Sequence, residues 1–201
     1  MTNTPETLAG LPIKLFETSK DWECWLNENY AEPTGLWLKI AKKASGKRSV
    51  SYLQALDVAL CFGWIDGQKR SYDAEYFLQK FTPRRPKSIW SKVNVENIAR
   101  LTAAGLMRAP GLAVVDAARA NGRWDQAYDS SRTIEMPEEF CIALDANPKA
   151  KAFFSTLNKT NIYATLWRIQ TAKKPETRRA RIEKLIAMLE AGEKPHAFKP
   201  E

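Results

Sequence analysis

The stretch ALCFGWIDGQKRSYD, residues Ala59–Asp73, marks the point where a helical pattern of apolar residues changes into a strand pattern. Before it, leucines recur at helical spacing and predict a buried stripe: Leu53, Leu56 and Leu60. Gly63 is the type of residue that ends a helix in the left-handed conformation. After it, strand-like runs at 64–72 and 75–82 flank a short polar turn and predict a β-hairpin. The stretch therefore joins a helix to a sheet, which indicates an α+β fold.

The segments on both sides of this stretch also alternate between strand and helix patterns, or are helical, as an α+β fold requires. Residues 12–17 and the run GLWLKIAKK read as strands on either side of a helix, whose start is predicted by Thr18 and Asp21 as a capping pair. Beyond Pro86 the apolar residues keep helical spacing, with glycines or prolines near the breaks. We therefore predict an α+β protein with a small N-terminal antiparallel sheet and its helices, followed by an all-helical C-terminal part.

The most polar stretch between the periodic segments is DQAYDSSRTIEM, residues 125–136. Such a stretch is typical of a boundary between folded parts of a chain. We predict an α+β domain over 1–125, a helical domain over 137–192 and a tail over 193–201.

The composition is that of an ordinary globular protein. The chain has 201 residues, of which 44% are hydrophobic and 27% charged, so it can bury a sizeable core. Its N-terminus lacks the basic and apolar regions of an export signal, and no window approaches the roughly 18 apolar residues of a membrane span. Three widely spaced cysteines favour a reducing compartment. We expect a cytoplasmic protein without a membrane span, and the sequence does not indicate an oligomeric state.

Few residues are suited to metal or catalytic chemistry. The single histidine, His196, has no Cys or His at ligand spacing, which excludes a zinc or iron site of imidazole and thiolate groups. A carboxylate-only Mg²⁺ or Ca²⁺ site stays open. The phosphate-binding glycine motifs and the G-x-S-x-G motif are absent. Cys61 falls at a helix C-terminus, where the helix dipole opposes a thiolate, so we predict a buried core residue.

We therefore predict a non-catalytic binding protein that needs no cofactor and no metal. An enzyme built on an unfamiliar carboxylate and arginine site is the catalytic alternative.

The block FTPRRPKSIWSKVN, residues 81–94, has the composition of an anion pocket. Prolines stiffen the backbone around Arg84 and Arg85, and guanidinium groups bind oxyanions through paired hydrogen bonds. An indole, a hydroxyl and an amide follow directly: Trp90, Ser91 and Asn94. The alternative is a solvated basic loop that leads into a capped helix.

Asp66 precedes a glycine at the helix-to-strand junction and needs a partner or solvent. If the two predicted strands pair, Asp66 lies at the same end of the hairpin as Arg84 and Arg85. The structural alternatives are a turn-stabilising role for Asp66 and a core position for Trp64. The functional prediction is a pocket for an anionic small molecule or peptide group, formed by Trp64, Asp66, Arg84, Arg85, Trp90, Ser91 and Asn94.

The charge distribution supports a second class of binding. The formal net charge is +8, and the excess lies in three stretches: residues 39–48, 80–92 and 168–184. The first two contain no acidic residue. Arg178 and Arg181 share one face of the last predicted helix, where they could contact phosphates. Sequence-nonspecific nucleic-acid binding is therefore the alternative to the pocket.

Five motifs carry a family resemblance: ALCFGWIDG, FTPRRPKSIWSKVN, GLMRAPGL, NGRW and AKKPETRRARIEKLIAML. Together they resemble the YdeI/OmpD-associated family of bacterial proteins, also called bacteriocin-protection proteins, over residues 15–192. The resemblance implies a stress or bacteriocin-resistance role without an established reaction. It also implies an N-terminal part like the small α+β fold of frataxin and YjbR, although the acidic ridge with which frataxin binds iron has no counterpart here.

Overall fold

The computed structural model describes residues 6–195 and confirms the α+β class. Its strands are β1 (Thr7–Leu8), β2 (Leu11–Leu15), β3 (Leu36–Ala41), β4 (Trp64–Ser71) and β5 (Tyr76–Pro83). Its helices are α1 (Ser19–Asn29), α2 (Tyr52–Cys61), α3 (Lys92–Ala103), α4 (Ala109–Ala120), α5 (Glu138–Asp145), α6 (Pro148–Ser155), α7 (Lys159–Gln170) and α8 (Pro175–Glu190), with a 3₁₀ turn at Lys43–Ser45. None of the helices within residues 6–195 is both long and apolar enough to cross a bilayer.

The chain divides into two compact units. The first contains the chain up to Trp90 together with Asn94–Gln126, and the second contains Ser91–Val93 together with the chain from Ala127 onward. The predicted boundary at 125–136 begins beside the change of unit at Gln126. Of the predicted tail at 193–201, residues 196–201 lie outside the described residues, and so does His196.

The sheet of the first unit is mixed rather than antiparallel, which corrects the prediction. Its strand order is β1-β2-β3-β5-β4, and β2 pairs parallel with β3 while the other neighbours are antiparallel. The reason is the connection, because α1 carries the chain from the end of β2 back to the start of β3, as a parallel pair requires. β4 and β5 form the predicted hairpin, in which Trp64 pairs with Pro83 and Asp66 with Phe81.

Local capping determines where the first two helices begin. Thr18 caps α1 and exchanges hydrogen bonds with Asp21, and Ser51 does the same with Gln54 at the start of α2. Leu53, however, is 70% exposed and does not belong to a buried stripe. The buried side of α2 is formed by Ala55, Leu56, Ala59, Leu60 and Cys61. The predicted burial of Leu56 and Leu60 is therefore confirmed, and only Leu53, in the first turn, lies outside the buried side.

Close backbone contacts join α4 to the end of α2. Gly63 has a φ of +76°, as predicted for the residue that ends the helix. The Arg108 amide donates to the Cys61 carbonyl at 3.1 Å. A Cβ added at Gly111 would lie 2.1 Å from the same carbonyl oxygen. Only glycine therefore lets α4 approach the α2 terminus this closely.

The second unit has a core of its own. Apolar side chains of α5–α8 and the loop after α6 form it: Phe140, Leu144, Ala150, Phe154, Leu157, Leu166, Ile169, Ile182, Leu185 and Leu189. Asn147 caps α6 and Asn158 caps α7, each by accepting a backbone N–H three residues later. Pro137 is the residue before α5 rather than its first residue.

Candidate functional site

The loop after β5 is anchored to the end of α2. The Arg84 amide donates to the Gly63 carbonyl at 3.0 Å, and the Ser88 amide donates to the Arg85 carbonyl at 2.9 Å. Pro83 and Pro86 restrict the backbone on either side of the arginine pair. The loop therefore presents both arginines from a restrained backbone.

Two packed tryptophan rings, each with an arginine beside it, extend from this loop. The guanidinium carbon of Arg84 lies 3.6 Å from the ring centroid of Trp90, and Nη1 of Arg84 donates to the Ile89 carbonyl at 3.1 Å. Trp90 packs on Trp124 with ring centroids 4.9 Å apart, and Arg119 lies 5.0 Å from the Trp124 ring. Cation–π contact and the backbone hydrogen bond hold the Arg84 guanidinium in a defined orientation.

Loop 84–90 and helix α4 enclose a cleft of about 330 Å³. Its apolar floor consists mainly of small side chains on α4: Ala113, Val114, Ala117 and Ala118. Arg84, Arg85 and Arg123 line it together with Ser88 and Asn121, and none of its described lining residues is acidic. Three guanidinium groups around a small apolar floor can bind an anion through charge-assisted hydrogen bonds. We call this the Arg84 cleft.

Trp64 does not line the Arg84 cleft. Its ring is fully buried and makes edge contacts with Trp22 and Trp25, at centroid distances of 6.1 Å and 5.8 Å. Its Nε1 donates to the Tyr30 carbonyl at 2.8 Å. The indole is therefore part of the aromatic core beneath α1, where no ligand can stack on it.

Asp66 points toward α2 rather than into the cleft. Its carboxylate accepts a hydrogen bond from the Tyr52 hydroxyl at 2.8 Å. Burial raises the pKa of Asp66, and the Tyr52 hydrogen bond and the positive charge of Arg84 offset part of that rise. Burial and the Asp66 charge raise the pKa of Tyr52 in turn. The charge of Arg84 thus acts to lower the pKa of Asp66, and the side chain that donates a hydrogen bond to Asp66 is Tyr52.

Ser91 and Asn94 are not among the residues that line the Arg84 cleft. Ser91 pairs with Tyr128 in a short parallel bridge of the second unit, and Asn94 lies in the first turn of α3. Of the seven predicted residues, the structure brings Arg84, Arg85 and Trp90 together in one cleft. Ligand binding by these residues stays a prediction.

Sequence reasoning missed the α4 wall, Arg123 and Trp124. Alanines and valine on a helix carry no binding signal, so the wall could not be recognised before α4 was placed. Arg123 and Trp124 belong to the NGRW motif, which was singled out only for its family resemblance. The two motifs NGRW and FTPRRPKSIWSKVN belong to the same family resemblance, and considering them together is the signal that could have identified both residues.

Thiol and metal chemistry find little support in the described chain. Burial, together with the charges of Asp57 and Glu23, raises the pKa of Cys61 to about 11. Cys24 is exposed and Cys141 half-buried, and both are free thiols. Within residues 6–195, no group of three or more His, Cys, Asp or Glu side chains could hold a metal ion.

Comparison with known proteins gives two family matches. Residues 14–114 match the model described as a domain of unknown function, DUF8412. Residues 133–192 match the model described as bacteriocin-protection, YdeI or OmpD-associated. No curated protein and no solved structure matches the chain. The chain therefore belongs to the DUF8412 family through its N-terminal half, and it carries the YdeI/OmpD-associated bacteriocin-protection domain at its C-terminal end.

Proposed function

We propose that this is a non-catalytic binding protein that holds an anionic small molecule or peptide group in the Arg84 cleft. The observation that carries the proposal is the lining of the cleft, where Arg84, Arg85 and Arg123 converge without an acidic side chain among the described lining residues. A carboxylate or phosphate group neutralises such a cluster and can accept paired hydrogen bonds from a guanidinium group.

The size and rigidity of the cleft support a small ligand. Its volume of about 330 Å³ lies at the lower end of the range of ligand sites, roughly 300–1,000 Å³. Arg84 is held by Trp90 and the Ile89 carbonyl, so part of its ordering cost is met before binding. The small side chains of α4 leave room for the ligand body beneath the charges.

Thermal-shift titration with inorganic phosphate, acetate and citrate tests the proposal. We expect at least one anion to raise the Tm of the wild type in a concentration-dependent way, because a ligand that binds only the folded state stabilises it. The double variant Arg84→Ala/Arg85→Ala should lose this response. Lys43→Ala/Arg48→Ala removes two exposed cations elsewhere in the same unit and should retain it. Equal responses of the two double variants would refute the cleft.

The sheet provides an observation in favour of the second candidate, nucleic-acid binding. Lys39 lies 4.4 Å from the Tyr72 ring centroid and 4.6 Å from that of Tyr76, and Arg70 lies 5.5 Å from the ring of Trp37, which is itself buried. Interleaved cations and aromatic rings are the elements with which proteins bind single-stranded nucleic acid. Lys39 also begins the first basic stretch of the sequence.

Fluorescence anisotropy with labelled single-stranded DNA and RNA tests this candidate. Binding should weaken steeply between roughly 50 and 200 mM salt, since each phosphate contact releases counterions. Lys39→Ala/Arg70→Ala should weaken it further, whereas Arg84→Ala/Arg85→Ala should not. No binding at the lower salt concentration would remove the candidate.

The biological context that we propose is protection against bacteriocins or related stress, acting in the cytoplasm. The description of the C-terminal family supports the protective role. Cells that lack the gene should survive bacteriocin challenge less well, and the Arg84→Ala/Arg85→Ala variant should fail to restore survival. Full rescue by this variant would separate the protective role from the cleft. The frataxin and YjbR likeness of the N-terminal part stays a prediction from the resemblance.

A further inference from the structure

The second unit contains a pocket that the proposed function does not use. It has a volume of about 440 Å³ and lies between α7 and α8. Both cationic and apolar side chains line it: Arg168, Arg181 and Lys184, with Trp167, Leu185 and Met188. We propose that this pocket binds an organic oxyanion, a carboxylate or phosphate that carries an aromatic or aliphatic body. We call it the Arg181 pocket.

Backbone carbonyls hold the two arginines of the pocket in place. Nη1 of Arg181 donates to the Arg168 carbonyl at 2.5 Å and to the Thr171 hydroxyl at 3.3 Å, which satisfies groups at the end of α7. Nη1 of Arg168 donates to the Ala164 carbonyl at 3.2 Å, one turn earlier. These contacts fix the orientation of both guanidinium groups. The cations are therefore ordered before a ligand arrives.

Like charges in this pocket repel each other. Burial and the neighbouring charge of Arg181 both lower the pKa of Arg168. Lys184 adds a third positive charge, and none of the described lining residues is acidic. An oxyanion between the arginines would neutralise this repulsion, and it could accept paired hydrogen bonds from a guanidinium fork. The charge arrangement thus selects the head group of the ligand.

The apolar side chains of the pocket favour a particular kind of ligand body. Trp167 offers an aromatic surface whose orientation is held by an edge contact with Tyr128, at a centroid distance of 5.7 Å. Met188 is a flexible side chain that adapts to apolar groups of different shape. A small inorganic anion would leave these apolar side chains in water, whereas an organic anion would cover them and gain from burial. We therefore infer a ligand with both a charged head and an apolar body.

Isothermal titration calorimetry of the full chain tests this inference with four probes. These are phenyl phosphate, benzoate, inorganic phosphate and phenol. We expect phenyl phosphate or benzoate to bind at least tenfold more tightly than inorganic phosphate and phenol, since only they contact both the cationic and the apolar side chains. The ratio between the two organic anions then identifies the preferred head group. Equal binding of inorganic phosphate and phenyl phosphate, or no binding of either organic anion at millimolar concentration, would overturn the proposal.

Variants on α8 locate the binding and keep the test independent of folding. Lys184→Ala removes an exposed pocket cation and should weaken binding of the preferred organic anion about tenfold, whereas Arg179→Ala removes an exposed cation outside this pocket on the same helix and should change it less than about twofold. Arg181→Lys keeps the charge, loses the fork and should also weaken binding. Arg84→Ala/Arg85→Ala should leave this binding intact, which separates it from the Arg84 cleft. Equal effects of Lys184→Ala and Arg179→Ala would refute the pocket.

Discussion

Trp64 and Trp90 are both buried tryptophans of the first unit, yet their surroundings differ. Trp64 is enclosed by the rings of Trp22 and Trp25, and its N–H is satisfied by the Tyr30 carbonyl. Trp90 has the Arg84 guanidinium on its face and borders a cleft. Burial alone therefore does not tell a ring inside the core from a ring that borders a cleft. The difference lies in whether the neighbours are apolar and closed or charged and open to a ligand.

The largest effect that this comparison predicts is the loss of the enclosed ring. Trp64→Ala should lower the free energy of unfolding by about 3–5 kcal/mol, because it leaves a large cavity and an unsatisfied carbonyl. Urea unfolding curves monitored by circular dichroism measure this free energy of unfolding. Leu53→Ala serves as the control, since Leu53 is 70% exposed; its effect should stay within about 0.5 kcal/mol. Similar losses in both variants would contradict a core role for Trp64.

The next effect concerns the position of α4, the wall of the Arg84 cleft. Gly111→Ala would place a Cβ 2.1 Å from the Cys61 carbonyl oxygen, so α4 must move. We expect a loss of about 1–3 kcal/mol in the free energy of unfolding and a weaker thermal-shift response to anions. Gly67→Ala is the matched control, because its Cβ would meet only the Lys80 side chain at 3.7 Å. Unchanged stability and anion response in Gly111→Ala would show that the close contact is dispensable.

A smaller effect separates the two tryptophans by function. Trp90→Phe weakens the cation–π contact with Arg84 and should cost about 0.5–1 kcal/mol. It should also reduce the thermal shift caused by anions, because Arg84 becomes less ordered. Trp64→Phe should reduce stability and leave the anion response of the folded protein intact. If the thermal shift caused by anions were reduced in Trp64→Phe and not in Trp90→Phe, Trp64 rather than Trp90 would support the cleft.

The smallest expected effect concerns Asp66, which lies on the same strand as Trp64 and whose pKa is influenced by the charge of Arg84. The pKa of Asp66 is raised in the folded protein, so its carboxyl group holds a proton more tightly there than in the unfolded chain. Its stabilising contribution is present below the unfolded pKa, about 3.9, and is lost as the pH rises through the folded pKa. The Tyr52 hydrogen bond and the Arg84 charge keep the effect small.

The test is to measure the free energy of unfolding of the wild type and of Asp66→Asn from acid to neutral pH. The wild type should lose stability relative to Asp66→Asn as the pH rises, and Arg84→Ala should enlarge that loss. A wild type that gains stability relative to Asp66→Asn over the same range would contradict a raised pKa.

Local features of the fold were predictable from the sequence. The capping pair at Thr18 and the helix end at Gly63 depend on residues within a few positions of one another, and both are found. The parallel pairing of β2 with β3 and the exposure of Leu53 were not predicted. Both depend on how α1 and α2 pack on the sheet, which involves residues distant in sequence.

The candidate site divides in the same way. The Arg84–Trp90 contact spans six positions, and the composition of the block that contains it already suggests an anion pocket. The wall formed by Ala113, Val114 and Ala117 could not be recognised, because small apolar residues on a helix look the same whether they border a cleft or a core.

The sequence by itself determined the α+β class, the helix ends, the hairpin and the cationic loop, because capping, glycine conformation and alternating apolar residues act over short distances. Only the tertiary structure decided which tryptophan is core, where α4 completes a cleft, and that Arg168 and Arg181 meet at the end of α7. These outcomes depend on close packing between elements far apart in the chain, which no local pattern encodes.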